Sequence, residues 1–486
     1  MVKIHTLKPG YYGEGSVEVS PSVPGESAVR RCTLSKDKLV SQPFEGIDTV
    51  ADIISYSARV HGNRNALGWR DTIRVIEEEK EVTKVVDGKE VTQKKLWKYF
   101  ELSDYKYLSY VELKEAISEV SRALIDLGIT KDDVFNVYAQ TRYVIIAWSV
   151  SRLLTPYRNS LNWQLLALSC ACISTPIATA YDTLGEEGLI HSLNEPQSVG
   201  IFTNAELLPT LTKVLPNTAS VKYVIYDGET SQTILDGIRS RSIQVLSISE
   251  LREIGKTKSV DILQSRLPKK EDLALIMYTS GSTGAPKGVC ITHANLISSV
   301  GAVYVLLGHH LTKDDTFLAY LPLAHVLEYI VELVMIFVGM SCGYGRIKTL
   351  TDASVRNCKG DISAFRPSIM VGVPAVWETI RKGIIAKVNS GGSIKKAIFN
   401  GAMYAKKNNI PILAQLADSL ILSGVRAATG GRLRVALSGG AALSRDTQEF
   451  LSTALVTLIQ GSVTQFTFCV FDVKAKIYHF RRLRND

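Results

Sequence analysis

The sequence has no paired cysteine spacing, no uncharged apolar run long enough to cross a bilayer, and no basic module of the nucleic-acid-binding kind. Each absence removes a class of protein. The cysteines stand at 32, 170, 172, 290, 342, 358 and 469, odd in number and without a C-x-x-C pair. That pattern excludes a disulfide scaffold and a zinc ribbon, and predicts reduced, buried thiols of an intracellular protein. The opening stretch MVKIHTLKPGYYGEG lacks an apolar centre, so no secretory signal is expected. Two stretches come nearest to membrane segments. YVIIAWSV (143–150) is too short to span, and YIVELVMIFVGMSCGYG (329–345) carries Glu332 and three glycines. Both read as core or interfacial segments. Basic residues outnumber acidic ones by 56 to 47, and the excess is spread along the chain. This suits a nucleotide, CoA or a lipid surface better than a nucleic acid.

What is present is a globular composition, 46% hydrophobic over 486 residues, enough for two or three lobes. Residues 1–45, rich in Pro, Gly, Ser and charge, read as a surface arm. A hairpin follows, EVTKVV and KEVTQKKLWKYF about the turn Asp87-Gly88. Ser109 and Glu112 form a capping box before Leu113, Ile117, Val120, Leu124 and Leu127, which recur at helical spacing until Gly128. Thr183 and Glu186 form a second box. From VFNVYA onward, apolar β-runs alternate with helical ones: CISTPIATAY, VGIFTN, VKYVIYDG, IQVLSI, LALIMY, TFLAYLPL, SIMVGVP and LRVALSGG. Such runs predict an α/β fold with parallel sheets flanked by helices.

The stretch YTSGSTGAPKGV (278–289) opens directly after LALIMY. Carboxyl ends of parallel strands are where ligands gather. Gly281, Gly284 and Gly288 let backbone amides approach an anion, Thr279, Ser280, Ser282 and Thr283 add hydroxyls, and Lys287 adds a charge. This is not the P-loop: Pro286 precedes Lys287, and GVCIT continues as a second strand before Thr292 starts a helix. Nor is it a Gly/Ser linker, which rarely lies between two apolar strands.

These residues resemble the phosphate-binding signature of the adenylate-forming enzymes. AYDTLGEEGLIHSLNE (180–195), LAYLPLAHVLEYIVEL (318–333) and VGVPAVWETIRKGI (371–384) narrow the resemblance to eukaryotic long-chain fatty acid–CoA ligases of fungal type, over residues 45–461. The resemblance implies the N-terminal large domain of that fold at 46–461, parallel sheets plus a smaller β-rich region, with the small C-terminal domain absent. It implies ATP, Mg2+ and coenzyme A as reactants with a long-chain fatty acid, and peripheral association with the endoplasmic reticulum, a lipid droplet or a peroxisome. Thr279, Ser280, Gly281, Ser282, Thr283, Gly284 and Lys287 carry over as phosphate contacts, with Thr283, Lys287 and His325 in catalysis. Gly439, Gly440 and Ala441 in ALSGGAAL correspond to the adenine-binding turn, although alone they would read as a strand-to-helix turn capped by Ser444. His325 would border the carboxylate, and Tyr329 falls where some relatives have an aromatic gate. The plain alternatives are a satisfied core histidine and, favoured for Tyr329, core packing. Glu328 reads as structural, Pro374 and Trp377 as pocket floor, and His309-His310 as solvated.

The sequence leaves the family pattern twice. RYVIIAWSVSRLLTPYRN (142–159) interrupts it, and after residue 461 a Tyr-Gly-x-Thr-Glu segment is replaced by SVTQFTFCVFDVKAKIYHFRRLRND. Both are expected to be translated introns, since Arg142-Tyr143-Val144 admits a splice signal and Leu154-Thr155 a branch point. In the family that replaced segment stacks on adenine and holds the metal, so turnover is expected to be impaired. Two other readings stay open, a nucleotide-binding remnant without activity and an adenylating ligase for short or aromatic acids.

Overall fold

The computed structural model describes residues 16–86, 89–139, 159–181, 185–279, 286–408 and 410–460. Each apolar run named above contains a strand, and the strands sort into two seven-stranded sheets. Edge to edge, the first sheet runs Gln244–Ser247, Tyr223–Asp227, Gly200–Asn204, Phe135–Tyr138, Ile177–Ala180, Leu273–Thr279 and Lys287–Thr292. All neighbours are parallel except the last pair, where Lys287–Thr292 returns antiparallel. The second sheet runs Leu458–Gln460, Val435–Ser438, Ile369–Gly372, Thr316–Ala319, Ser341–Tyr344, Asn65–Trp69 and Lys106–Ser109, again parallel but for its last pair. Strands such as Gly200–Asn204 and Ile369–Gly372 are buried at every residue, which is why they are apolar without alternation.

The hairpin forms as expected, Thr72–Val86 against Lys89–Leu102, with Val86 opposite Lys89. The Ser109–Glu112 capping box starts the helix Tyr110–Asp126. The 329–345 run is not one helix: Val326–Val338 is helical, Gly339 turns left-handed at φ 89°, and Ser341–Tyr344 is a strand of the second sheet. A Cβ at Gly339 would also lie 2.4 Å from the His61 ring. Among the described residues, no helix is long and apolar enough to cross a membrane. The turn Asp87-Gly88, Thr183, Cys469, the stretch 143–150, the insertion up to residue 158 and the tail from 461 lie outside the described residues. Of the six described cysteines, all free, Cys170 and Cys342 are buried and the others partly exposed, so burial holds for only two of them.

One apolar cluster joins both sheets: Phe135, Ile177 and Leu275 from the first share it with Phe317, Cys342 and Ile369 from the second. Helix Val326–Val338 sits in it, and its last carbonyls are taken by other elements rather than water. Ser57 Oγ donates to Ile336 O at 2.9 Å and His61 Nε2 to Phe337 O at 3.0 Å, while Tyr110 Oη donates to the Met340 carbonyl just beyond the helix at 2.7 Å. The N-terminal arm is anchored at its end, where Phe44 packs against Tyr56, Tyr304 and Phe337.

Two stability predictions follow from close contacts. Helix Ile248–Lys256 meets helix Tyr110–Asp126 at Gly255, where a Cβ would lie 1.7 Å from the Glu119 carbonyl oxygen. Gly255→Ala is expected to cost about 1–3 kcal/mol in urea unfolding, and an unchanged midpoint would show that the helices do not touch there. His293 is fully buried and its Nδ1 accepts from the Val50 amide at 3.2 Å. Burial pushes its pKa down to about 4, so it folds neutral and takes a proton only on unfolding. Its contribution is complete above pH ~6.5 and is lost as pH falls toward 4, by up to about 3 kcal/mol. Unfolding titrations of His293→Gln are expected to show a flatter slope across that window than the parent; equal slopes would contradict this.

Candidate active site

Strand Leu273–Thr279 ends with Thr279 paired to Lys287, the first residue of the returning strand. Residues 280–285, and so Ser280, Gly281, Ser282, Thr283 and Gly284, lie outside the described residues. The flanks are well defined. Lys287 is exposed. The Pro286 carbonyl accepts from His191 Nε2 at 3.0 Å, and His191 lies on helix Gly185–Asn194. The His191 ring stands edge-on to Tyr278 with centroids 5.8 Å apart, and its Nε2 is 3.6 Å from Glu195 Oε2. Burial and the neighbouring Glu195 raise the Tyr278 pKa. The 180–195 and 278–289 motifs therefore meet in space. Gly288 pairs with Tyr278, and a Cβ there would lie 2.8 Å from Ile276 Cγ2, so close strand packing also requires a glycine at this position.

His325 caps helix Val326–Val338, its Nδ1 accepting from the Leu327 amide at 3.3 Å. Burial lowers its pKa, which keeps the ring neutral with its proton on Nε2. Tyr329 is 1% exposed and edge-on to Trp163 at 6.1 Å between centroids, the packing arrangement. Glu328 and Glu332, one turn apart on this helix, are both buried. Burial, then the charge of Glu332, raises the Glu328 pKa, and burial raises that of Glu332 to about 8. Tyr344 Oη donates to Glu332 Oε2 at 2.8 Å. Both are thus held as neutral acids inside the fold.

The carboxyl ends of three neighbouring strands converge beside this helix. At Gly372 a Cβ would lie 2.7 Å from the Tyr320 hydroxyl and 2.9 Å from Trp377, so a side chain is excluded. Trp377 is fully buried near the start of helix Pro374–Asn389. The Gly439 amide donates to Gly372 O at 3.0 Å, Gly440 follows at φ 84°, and Ala441 is exposed. Ser444 then caps helix Arg445–Ala454. A cavity of about 50 Å3 runs between Leu327, Val331 and Met335 of the buried helix and Val371, Leu437 and Gly439 of the sheet. It has room for little more than water, against the ~300–1,000 Å3 of ordinary ligand sites. His309 is exposed, but His310 is half-buried and lines this cavity, a correction to its expected solvation. Among the described residues no three His, Cys, Asp or Glu side chains cluster as a metal cage. Mg2+ commonly takes one or two carboxylates with substrate phosphates and water.

Sequence reasoning missed His191 and Glu195, although their i, i+4 spacing in the helix motif IHSLNE places them on one face. It also missed Tyr344, whose partner is distant in sequence.

The fold and the converging motifs define the large domain of an adenylate-forming enzyme. The family model for AMP-binding enzyme matches residues 88–465, and the chain belongs to that family. It is 38% identical over 444 residues to long-chain-fatty-acid–CoA ligase 2 of Schizosaccharomyces pombe, covering 90% of this chain and 61% of the relative. It is 39% identical over 453 residues to ligase 1 of that organism, covering 92% and 63%. The adenylation domain of a carboxylate reductase from Mycobacterium chelonae superposes with TM-score 0.60 at 19% identity, covering 87% of this chain and 60% of that one. The chain thus spans about three-fifths of the length of these relatives.

The His191 contact can be tested without substrate. His191→Ala leaves Pro286 O without its donor, at a cost of about 1 kcal/mol, and is expected to speed amide exchange across residues 287–291. Unchanged exchange there would show that the contact does not hold the return strand.

Proposed function

We propose that this chain carries the adenylating half of a long-chain fatty acid–CoA ligase. The observation that supports this most is the Thr279–Lys287 pairing at the carboxyl edge of the first sheet, with Pro286 held by His191. It brings the two ends of the stretch 280–285 together on paired strands, which a free linker would not require. In the proposed reaction a fatty carboxylate oxygen attacks the α-phosphorus of ATP and pyrophosphate leaves. The thiolate of CoA then attacks the acyl carbon and AMP leaves.

Both reactants of the first step are anions, so fixed donors must offset their repulsion. Thr279, Ser280, Gly281, Ser282, Thr283, Gly284 and Lys287 are assigned to the polyphosphate, with Lys287 and Thr283 countering charge as it moves to the leaving group. Mg2+ fits as an ion brought by the phosphates and would neutralise them. Gly439 and Gly440 leave the purine a face of bare backbone beside Ala441. His325, neutral with Nε2–H available, is assigned as donor to the fatty carboxylate. The chain of the acid requires the small apolar cavity beside Leu327, Val331 and Met335 to widen; Tyr329, packed against Trp163, does not line that cavity.

The sequence at 462–466, SVTQF in place of Tyr-Gly-x-Thr-Glu, favours a second reading, nucleotide binding without turnover. Oleate-dependent ATP–pyrophosphate exchange separates the two. The ligase reading predicts exchange with oleate above that with benzoate, lowered about 100- to 1,000-fold in Lys287→Ala. ATP binding with no exchange would support the second reading, and exchange unaffected by Lys287→Ala would overturn the role given to that residue.

A further inference from the structure

The small cavity beside helix Val326–Val338 has one rigid wall and one that can yield. The rigid wall is the second sheet. Ile369, Val371, Val435 and Leu437 face the cavity, while Met370 and Ala436 between them are fully buried in the core on the other side. The cavity runs along these strands from Gly439, at the carboxyl end, to His310 at the amino end, where the His310 carbonyl accepts from Arg434 Nη2 at 2.5 Å. At that far end Val303 and Leu307 close it, from the last turns of helix His293–Leu307. This helix is fixed where it starts, by the Thr292–Asn295 capping box and by the Val50 amide on buried His293. Its end is peripheral: Val305 is exposed, and Ala302, Leu306 and Leu307 are half-buried. An acyl chain that reaches Val303 and Leu307 therefore pushes the helix end outward.

The N-terminal arm lies outside that helix. Gly301 stands nearly opposite Val303, two residues being about 200° of turn. A Cβ at Gly301 would lie 2.8 Å from the Gln42 carbonyl carbon and 2.9 Å from Val40 Cγ1, so the arm rests on bare backbone. Two residues further, the Phe44 ring spans two helices. Its centroid is 5.4 Å from that of Tyr304 and 5.2 Å from that of Phe337 on helix Val326–Val338. Tyr304 and Phe337 are themselves 5.3 Å apart. One aromatic clasp thus ties together the two helices that wall the cavity. Phe44 is 41% exposed, so the clasp is a surface contact that can open while the core stays packed.

We propose that arm residues 40–44 form a clasp that an acyl chain reaching Val303 and Leu307 must open, which makes the arm a determinant of acyl-length preference. The inference rests on the ligase reading and concerns its selectivity. Phe44 touches no substrate; it acts through Tyr304 and Phe337. Opening the clasp costs binding energy only to long chains. An eight-carbon chain falls short of the ~13 Å of strand between Arg434 and Ser438 and leaves it shut.

Equilibrium binding of radiolabelled octanoate and palmitate to the full chain tests this. Phe44→Ala is expected to raise palmitate affinity about tenfold, the worth of one or two aromatic pairs, and to leave octanoate affinity unchanged. Gly301→Ala, which lifts the arm from the helix, should act the same way, and Phe44→Tyr, which keeps the ring, should behave as the parent. In the parent, bound palmitate should speed tryptic cleavage after Lys36 or Lys38, both exposed on the arm, because an opened clasp frees the segment; octanoate should not. The cleavage readout needs no variant and decides the matter where a substitution unfolds the chain. Palmitate affinity unchanged in both Phe44→Ala and Gly301→Ala, equal gains for both acids, or cleavage unmoved by bound palmitate would overturn the clasp and leave the ligase reading standing. No binding of either acid would overturn the ligase reading and this inference with it.

Discussion

The antiparallel return of Lys287–Thr292 onto Leu273–Thr279 is the constraint on which the site depends. A parallel sheet would send the chain away through a helix, and the glycine-rich stretch would then open onto a long crossover. Pairing Lys287 with Thr279 instead brings the lysine back beside the carboxyl end of the strand from which the glycine-rich stretch departs. His191 fastens the Pro286 carbonyl from the side, and Gly288 allows the strand to lie against Ile276. Three independent contacts thus act on one short connection.

A second requirement is met by the buried helix Val326–Val338. It must satisfy a cluster shared by two sheets, so nearly all its side chains are apolar and its terminal carbonyls find Ser57 and His61 rather than water. Its two glutamates survive there only as neutral acids, with Tyr344 donating to one of them. The same helix carries His325 at its cap and Tyr329 one turn on, so any movement that widens the small cavity for a long chain also displaces the residue assigned to the carboxylate. Binding of a chain and positioning of its head are coupled through one rigid element.

Much of the fold could be read from the sequence because buried parallel strands are written as continuous apolar runs, and capping boxes such as Ser109–Glu112 are local signals. The strands that escaped notice were those without such a signature. Asn65–Trp69 and Lys106–Ser109 pair at one edge of the second sheet, and Leu458–Gln460 has only three residues. Ser341–Tyr344 was concealed in a run whose helix ends at a left-handed glycine. The phosphate motif was legible because its glycines, hydroxyls and lysine are contiguous. His191, Glu195 and Tyr344 were not, because their significance lies in contacts with residues far along the chain. Gly288 is held to glycine by a second constraint the sequence does not show, its packing against Ile276.

The central claim is that amides and hydroxyls of residues 279–284, with the Lys287 ammonium, enclose the polyphosphate of ATP. A crystal of this chain soaked with a non-hydrolysable ATP analogue measures it directly. The account predicts β- and γ-phosphate density inside the turn between Thr279 and Lys287, within hydrogen-bond distance of its backbone amides. Triphosphate density elsewhere on the protein, with that turn facing solvent, would contradict it.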